Sequence, residues 1–411
     1  MKLSSLIVLV ISLTLSACGR DSNVSREKSH ITSPEAAKLL LLSQQAVNRD
    51  DYLTALSYTD SALVLDPANP KIHFLRGIIH DELHRTNDAK VSFLKAYQID
   101  QDIQGIKFYL ANIYFKYQEF DSARVLYEKA IEDYQQEEAL FPKVKAHANL
   151  GVTYSRLGLS DSAFHQFQNA INLNPDYAET YYLMAKEFRD QGESAKALKY
   201  INQAISLNNG NPDYLFEAGN LEYQLGNYIS ALKHFDKVLA HSSWNYRATY
   251  LHGQCLLRIG KTEEAEQQLA HADSLKKQLA QIVVLEDNAR QKKNDMMAWS
   301  NLGKAYLELG DYQRSEDALL MAISLSPDNI VLLNNLAHLN MLQEQPNEAI
   351  AYFQHILNID PHLADVWTTL GIVYAQLGEY SNAEFAWRAA LRERPDHPVA
   401  KSYLEQLAQS G

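Results

Sequence analysis

WSNLGKAYLELGDY, Trp299 to Tyr312, and WTTLGIVYAQLGEY, Trp367 to Tyr380, carry one pattern 68 residues apart. Each reads W-x-x-L-G-x-x-Y and runs on to a proline, Pro327 or Pro395. Half of that separation, 34 residues, is a period that can be followed along the chain. With the tryptophan at position 4, position 8 is Ser43, Gly77, Ala111, Gly151, Ala185, Gly219, Gly253, Gly303, Ala337 and Gly371. Twelve residues on, position 20 is Ala55, Ala89, Ala123, Ala163, Ala197, Ala231, Ala265, Ser315, Ala349 and Ala383. Every one is small, as expected where two helices cross so closely that only Gly, Ala or Ser lets their backbones approach. Tyr114, Tyr154, Tyr306 and Tyr374 at position 11, and Phe93, Phe167, Phe235 and Phe353 at position 24, are the bulky residues that fill the surrounding core. Prolines at position 32 (Pro67, Pro175, Pro327, Pro361, Pro395) interrupt the second helix of a unit.

This pattern resembles the tetratricopeptide repeat, in which each unit is a helix-turn-helix pair. The resemblance implies an all-α, right-handed superhelix, an α-solenoid of about ten repeats: three over 36–137, four over 144–279 and three over 296–397. A capping helix over 398–411 then covers the last apolar face. Two insertions break the frame. One, around Glu138 to Lys143, adds about two turns of helix or a loop containing Pro142. The other, 280–295, reads as a helical extension. No Gly or Pro lies between Gly260 and Gly303, and Leu269, Ala272, Leu275, Leu279, Ile282, Leu285 and Ala289 recur at three- and four-residue steps. A long second helix projecting from repeat seven, dividing the array into two blocks, is the expectation.

The N-terminus has a different character. Lys2, an apolar run from Leu6 to Leu15 and small residues before Cys18 have the layout of a secretory signal peptide, too short for the roughly 20 apolar residues of a membrane span. Leu15-Ser16-Ala17-Cys18 resembles the lipobox of bacterial lipoproteins. That resemblance implies a signal peptide over 1–17, lipid on Cys18 and a polar tether over 18–35, with an r.m.s. span on the order of 20 Å. Gly19, where many inner-membrane lipoproteins carry Asp, implies by the same family rule an outer-membrane anchor facing the periplasm. Ser33 before Pro34 reads as an N-cap followed by a first-turn proline, where the fold begins. With Cys18 lipidated, Cys255 has no partner in its own chain, so no disulfide framework is expected. Cys255 falls in an apolar segment and reads as a buried, inert thiol.

A net charge of −12, with no dense Lys/Arg face, excludes duplex nucleic acid as a partner class. HDELH, His80 to His84, places two histidines four apart, but Glu82 follows Asp81 rather than the first histidine and no third ligand follows. The pair reads as structural. No nucleophile elbow, phosphate loop or dinucleotide fingerprint appears, and the repeats leave no separate catalytic domain. The expectation is a protein that is not an enzyme and has no cofactor, metal or small-molecule substrate.

What remains is a binding surface. The resemblance implies a concave groove lined by positions 2, 5, 6, 9, 12 and 13 of the first helices. There the chain has aromatic residues at position 5, Phe74, Phe108, Tyr182, Phe216 and Tyr250. Asn149, Asn301 and Asn335 stand at position 6 and Asn112 and Asn220 at position 9. Asn offers both a donor and an acceptor to an extended peptide. Lys145, Arg156, Lys186 and Arg189 form a basic stretch, to attract an acidic segment or to be neutralised by Glu179 and Asp190. In the last three units the groove turns apolar, with Val331, Met341, Leu342 and Ile372 beside Asn335 and Thr369. The carboxylate clamp of chaperone-tail binders is not matched, because Phe108, Glu179 and Leu183 stand where its cations belong. The expected protein is a lipid-anchored scaffold or assembly factor of the bacterial envelope, similar to repeat-containing lipoproteins. Its expected partners are envelope proteins bound as peptides or helices. An accessory of a secretion, pilus or polysaccharide-export system and an enzyme with a cryptic site are the alternatives.

Overall fold

The computed structural model describes residues 33–134 and 140–410. Within them the chain forms helices alone, 21 in all: ten antiparallel pairs and a final single helix. The first helices are α1 (Pro34–Val47), α3 (Pro70–Glu82), α5 (Ile106–Lys116), α7 (Leu140–Arg156), α9 (Ala178–Asp190), α11 (Pro212–Gln224), α13 (Tyr246–Arg258), α15 (Met296–Leu309), α17 (Ile330–Leu342) and α19 (Ala364–Gln376). Their second helices are α2 (Tyr52–Leu65), α4 (Thr86–Ile99), α6 (Phe120–Asp133), α8 (Ser160–Leu173), α10 (Ser194–Leu207), α12 (Tyr228–His241), α14 (Thr262–Gln291), α16 (Tyr312–Leu325), α18 (Pro346–Ile359) and α20 (Tyr380–Glu393). The last helix is α21 (Pro398–Ser410). The chain divides into two compact units, the first ending at Leu221 and the second beginning at Glu222.

The small positions do what their size predicts, with one refinement. At position 20 the approach to position 8 is close enough for a hydroxyl to reach the facing backbone. Ser43 Oγ donates to Ala55 O at 2.9 Å, and Ser315 Oγ donates to Gly303 O at 2.8 Å. The tighter constraint on the position 8 glycines, however, comes from position 24. A Cβ added to Gly77 would fall 2.5 Å from the Phe93 ring, and one on Gly303 would fall 2.7 Å from Leu319. Both neighbours are fully buried. The aromatic or leucine side chain of the second helix lies on bare glycine backbone.

The repeat also fixes its turn. Position 15, between the two helices, has positive φ in all ten pairs: Asp50, His84, Gln118 and Glu344 at 56° to 61°, and glycine in the other six at 75° to 88°. His84 therefore stands outside α3, past its last residue Glu82, and the two histidines of HDELH do not share a helical face.

Tryptophan at position 4 has a specific partner. The indole N–H of Trp299 donates to Lys293 O, and that of Trp367 to Pro361 O, each at 2.9 Å, tying the preceding loop to the new first helix. The cap of the first described helix follows the sequence: Ser33 Oγ accepts from Ala36 N at 3.1 Å with Pro34 in the first turn. The second helices stop two residues before Pro67, Pro175, Pro327, Pro361 and Pro395, yet α10 and α12 stop in the same register without proline. Proline is therefore not required for the helix to end there.

The first insertion is helical where it is described, and the second differs from expectation. Around the first, α7 begins at Leu140 and carries Pro142 in its first turn; residues 135–139 lie outside those described. The second forms the end of α14, a 30-residue helix about 45 Å long at 1.5 Å per residue. It does not project. Leu275, Ile282 and Ala289 form one buried cluster with Ala298, Leu302, Tyr306 and Leu309 of α15, so the added turns lie along the next repeat. Nor does it divide the array, since the boundary between compact units falls inside α11. Arg314 secures this region. Its guanidinium lies 4.5 Å from the ring centre of Tyr306 and 5.1 Å from that of Trp244, and donates to Asp311 at 2.5 Å. The Tyr306 hydroxyl in turn donates to Glu286 on the added turns.

Candidate functional site

The first-helix face of unit one is built in layers of aromatic and polar side chains. In the second and third repeats Phe74, Phe93 and Tyr109 converge, with ring centres 5.4 to 5.9 Å apart. Phe74 is 4% exposed, so this groove candidate is a core residue: the chain turns at Gly105 with φ 89°, and the Phe74 ring closes over that turn. Phe108 is half-buried, edge-on to both Tyr109 and Tyr127.

Asn112 and Asn149 come together as a pair across adjacent repeats. Asn149 Nδ2 donates to Asn112 Oδ1 at 3.0 Å, and the buried Tyr127 hydroxyl donates to the same oxygen at 2.5 Å. Three side chains from three helices thus satisfy one another, and burial pushes the Tyr127 phenol up. The pair orders the interface between repeats three and four and keeps part of Asn149 open to a ligand.

Further along, the Tyr182 ring lies 5.0 Å from that of Tyr214, whose hydroxyl donates to Glu179 at 2.9 Å. Lys186 Nζ stands 5.2 Å above Tyr182 and has no carboxylate within ion-pair distance among the described residues. Arg189 is different. Its Nη1 donates to both oxygens of Glu217 at 2.7 Å, and its Nε and Nη2 donate to Asp190 at 3.0 and 2.7 Å. Glu217 is 5% exposed at its side chain, so Arg189 serves as its counter-ion and is not available to an acidic partner. The expected neutraliser Glu179 is instead taken by Tyr214. Arg156 is exposed, and Phe216 and Asn220 are half-buried on α11.

Unit two presents a plainer surface. Tyr250 is 48% exposed, Asn301 is exposed, and Asn335 is half-buried. Val331 is 66% exposed and Leu342 is also open. Met341 is half-buried against the Leu333, Ala337 and Phe353 cluster. Ile372 is half-buried beside Trp387, and Thr369 turns its hydroxyl back to Asp365 O at 2.9 Å. Two exposed apolar residues on the same positions, Leu257 and Met297, escaped the sequence reading. The 34-residue frame puts them at groove positions 12 and 2 of repeats seven and eight. A cleft of about 360 Å³ also opens between α18, α19 and α20, lined by Gln354, Asn358, Trp367, Tyr374 and Phe385.

No candidate metal cluster of three His, Cys, Asp or Glu side chains occurs among the described residues. Cys255 is fully buried, and burial pushes its thiol up to about 11, which suppresses the reactive thiolate. Cys18 lies outside the described residues. No helix among the described residues is long and apolar enough to cross a membrane.

The comparisons with known proteins agree with this architecture. Tetratricopeptide repeat profiles match residues 144–177, 182–243, 222–283, 297–329 and 340–407, together more than half of the chain. Among curated relatives, BBSome complex member BBS4 of Bos taurus is 26% identical over 251 residues, 61% of this chain and 45% of its own length. The TPR repeat-containing protein MJ1428 of Methanocaldococcus jannaschii is 22% identical over 384 residues, 88% of this chain and 65% of its own. The chain thus spans 45% to 65% of the length of these relatives. The solved structure of PilW, a type IV pilus biogenesis factor, is 19% identical with a TM-score of 0.47, covering 54% of this chain and 98% of that one. The structure of MamA is 20% identical with a TM-score of 0.36, covering 40% and 94%. Ten helix pairs closed by small residues at positions 8 and 20, together with these profiles, show that the chain belongs to the tetratricopeptide repeat family.

Proposed function

We propose that this protein is a non-catalytic scaffold or assembly factor, held in the bacterial cell envelope by lipid on Cys18, that engages other proteins through its first helices. The observation that carries the binding role is the first-helix face of unit one, where Asn149, Tyr182 and Lys186 are positioned by contacts within the fold and still reach the surface. Side chains fixed in this way bind with little further loss of rotamer freedom. The anchor and the outer-membrane, periplasm-facing location rest on Leu15-Ser16-Ala17-Cys18 and Gly19. Replacing Cys18 by Ser moves the protein from the membrane to the soluble fraction on this reading, and unchanged membrane association removes it. Crosslinking in intact cells tests the binding role: specific captured envelope proteins support it, and a chain that captures none contradicts it.

A second reading, an accessory of a secretion, pilus or polysaccharide-export system that holds a partner helix, draws on the exposed apolar residues Leu257, Met297, Val331 and Leu342 of unit two. Val331→Glu in the full chain abolishes capture if a hydrophobic helix docks there, and leaves it intact if partners use unit one.

A further inference from the structure

Glu82 and Lys145, on the first-helix face of unit one, form no ion pair with any described residue, although Lys116 and His84 lie near enough to Glu82 to ease its charge. Glu82 ends α3, and its neighbour Asp81 is held by Lys116 at 2.5 Å. Glu82 itself forms no ion pair with any described residue, although it is half-buried, and burial and the Asp81 charge push its carboxyl above the ordinary range. Lys145, near the start of α7, is the complementary case. It is also half-buried, its Nζ lies 5.0 Å from the ring centre of Phe141, and no described carboxylate pairs with it. Burial holds its ammonium below the usual lysine range, and the charge that offsets this is Glu82. Leu83, beside Glu82, packs on one cluster with Tyr109, and Phe108 packs with Ala146, beside Lys145, so the aromatic pair of repeat three lies between the two charges.

The wall beside them is aromatic. Tyr52, Leu83 and Tyr109 pack on one cluster, and both phenols are pushed up by burial and by the Glu82 charge, Tyr52 to about 12. Phe108 stands edge-on to Tyr109 at 5.6 Å. Phe141 lies 5.5 Å from Tyr177, the N-cap of α9. A desolvated charge without a partner costs stability. An acid and a base on one face, neither closed in an ion pair and separated by the aromatic side chains of repeat three, offer complementary charges to a guest that carries both signs.

We infer that the first-helix face of repeats two to four binds a polypeptide segment carrying a basic side chain for Glu82 and an acidic side chain for Lys145, with an apolar residue against Phe108 and Tyr109. This rests on the reading of the chain as a binder of other proteins and names the chemistry of the segment. A peptide fits better than a small zwitterion because Glu82 and Lys145 belong to repeats two and four and are bridged by the side chains of repeat three. The site is balanced in charge, so it selects a pattern rather than acidic chains in general.

The test uses the full chain and four fluorescein-labelled nonapeptide pools on a Ser-Gly-Tyr background: Lys and Glu two to five residues apart, Lys alone, Glu alone, and neither. Fluorescence anisotropy is expected to show the doubly charged pool binding at least about tenfold tighter than the others. Lys145→Met removes the advantage of Glu and leaves that of Lys; Glu82→Gln does the reverse. Both variants keep or raise Tm, because each deletes an unpaired desolvated charge, which separates lost recognition from lost folding. Equal binding of all four pools, no binding of any, or equal loss with both variants for every pool overturns the inference. Full competition by the free dipeptide Lys-Glu also overturns it, in favour of a small-molecule site. If these assays fail while crosslinking in cells still captures a partner, this site is wrong and the scaffold reading stands; if both fail, the scaffold reading falls too.

Discussion

The ring of Phe167 occupies the place where a side chain on Gly151 would begin: a Cβ built there lies 2.5 Å from Phe167 Cε1, and the ring is buried. Alanine is the better helix former by about 1 kcal/mol, and in an open helix Gly151→Ala would stabilise. Here overpacking wins, because a ring enclosed on all sides has no free rotamer. Gly151→Ala is expected to cost about 1–3 kcal/mol in urea unfolding. The added change Phe167→Leu should recover part of that loss. A stabilised Gly151→Ala, or strict additivity in the double variant, would refute the contact.

The turn positions offer the opposite opportunity. Asp50, His84, Gln118 and Glu344 hold φ near 60°, where six other repeats use glycine. Replacing Gln118 by Gly relieves left-handed strain and adds disorder to the unfolded chain, for a net gain of up to about 1 kcal/mol. Gly260→Ala, at φ 84°, should lose a similar amount. Chemical denaturation of the two variants checks the sign of each.

His80 makes the fold sensitive to acid. It stands at position 11, where Tyr154 and Tyr374 reach back to Glu128 and Gln354 of the preceding repeat. The corresponding residue behind His80, Asp60, is taken by Arg76 at 2.8 Å. Both imidazole nitrogens are buried without a hydrogen-bond partner, and burial holds the ring below its ordinary value of 6.5. The unfolded chain therefore takes up a proton first, so stability falls as pH drops through 6.5 towards the lower folded value. His80→Leu should flatten part of the decline in urea midpoint between pH 7 and 5, with His73, His147 and His234, also lowered by burial, accounting for the rest. An unchanged pH dependence in the variant would rule His80 out.

The final helix is held by a polar knot at its start. The Ala400 backbone N–H can only donate, so His397 Nδ1 is the acceptor at 3.3 Å, and its Nε2 carries the proton facing Asp365 at 2.9 Å. Arg394 Nη2 donates to Asp365 at 2.7 Å, and hydrogen bonds from Arg394 and His397 hold the Asp365 carboxyl below its ordinary 3.8. A carboxyl with a lowered folded pKa supports the fold above its ordinary value and loses that support as pH falls below 3.8. Hydrogen exchange of α21 should accelerate in that acidic window and, at neutral pH, in Asp365→Ala. Equal exchange of α21 in the variant and the parent would argue against the knot.

Arg314 should prove the fastening of the long α14 helix. Arg314→Ala removes its stacking on Tyr306 and Trp244, worth about 1–2 kcal/mol. Exchange over 282–291 should rise more than exchange over α16, which carries the residue; uniform acceleration would point to global destabilisation instead.

The sequence by itself determined the ten pairs, because small residues at positions 8 and 20 recur with the 34-residue period of a helix-turn-helix repeat, and it placed the cap at Ser33 and the closing helix at Pro398. It also showed that α14 runs long, since nothing between Gly260 and Gly303 breaks a helix. Only the tertiary structure decided that the added turns lie along α15, because the same apolar stripe serves a projecting helix or a packed one. Groove positions were legible as positions, not as surfaces. Phe74 and Tyr182 share position 5, but the turn at Gly105 sends one into the core, while the other stays half-open beneath Lys186. Arg189 and Lys145 belong to one basic stretch in the sequence, open to an acidic partner or to neutralisation by Glu179 and Asp190, and it is a buried Glu217 28 residues further on that claims the first, together with Asp190. Which charge is spent and which is left depends on the neighbouring repeat across the interface, and a one-dimensional period carries no record of that pairing.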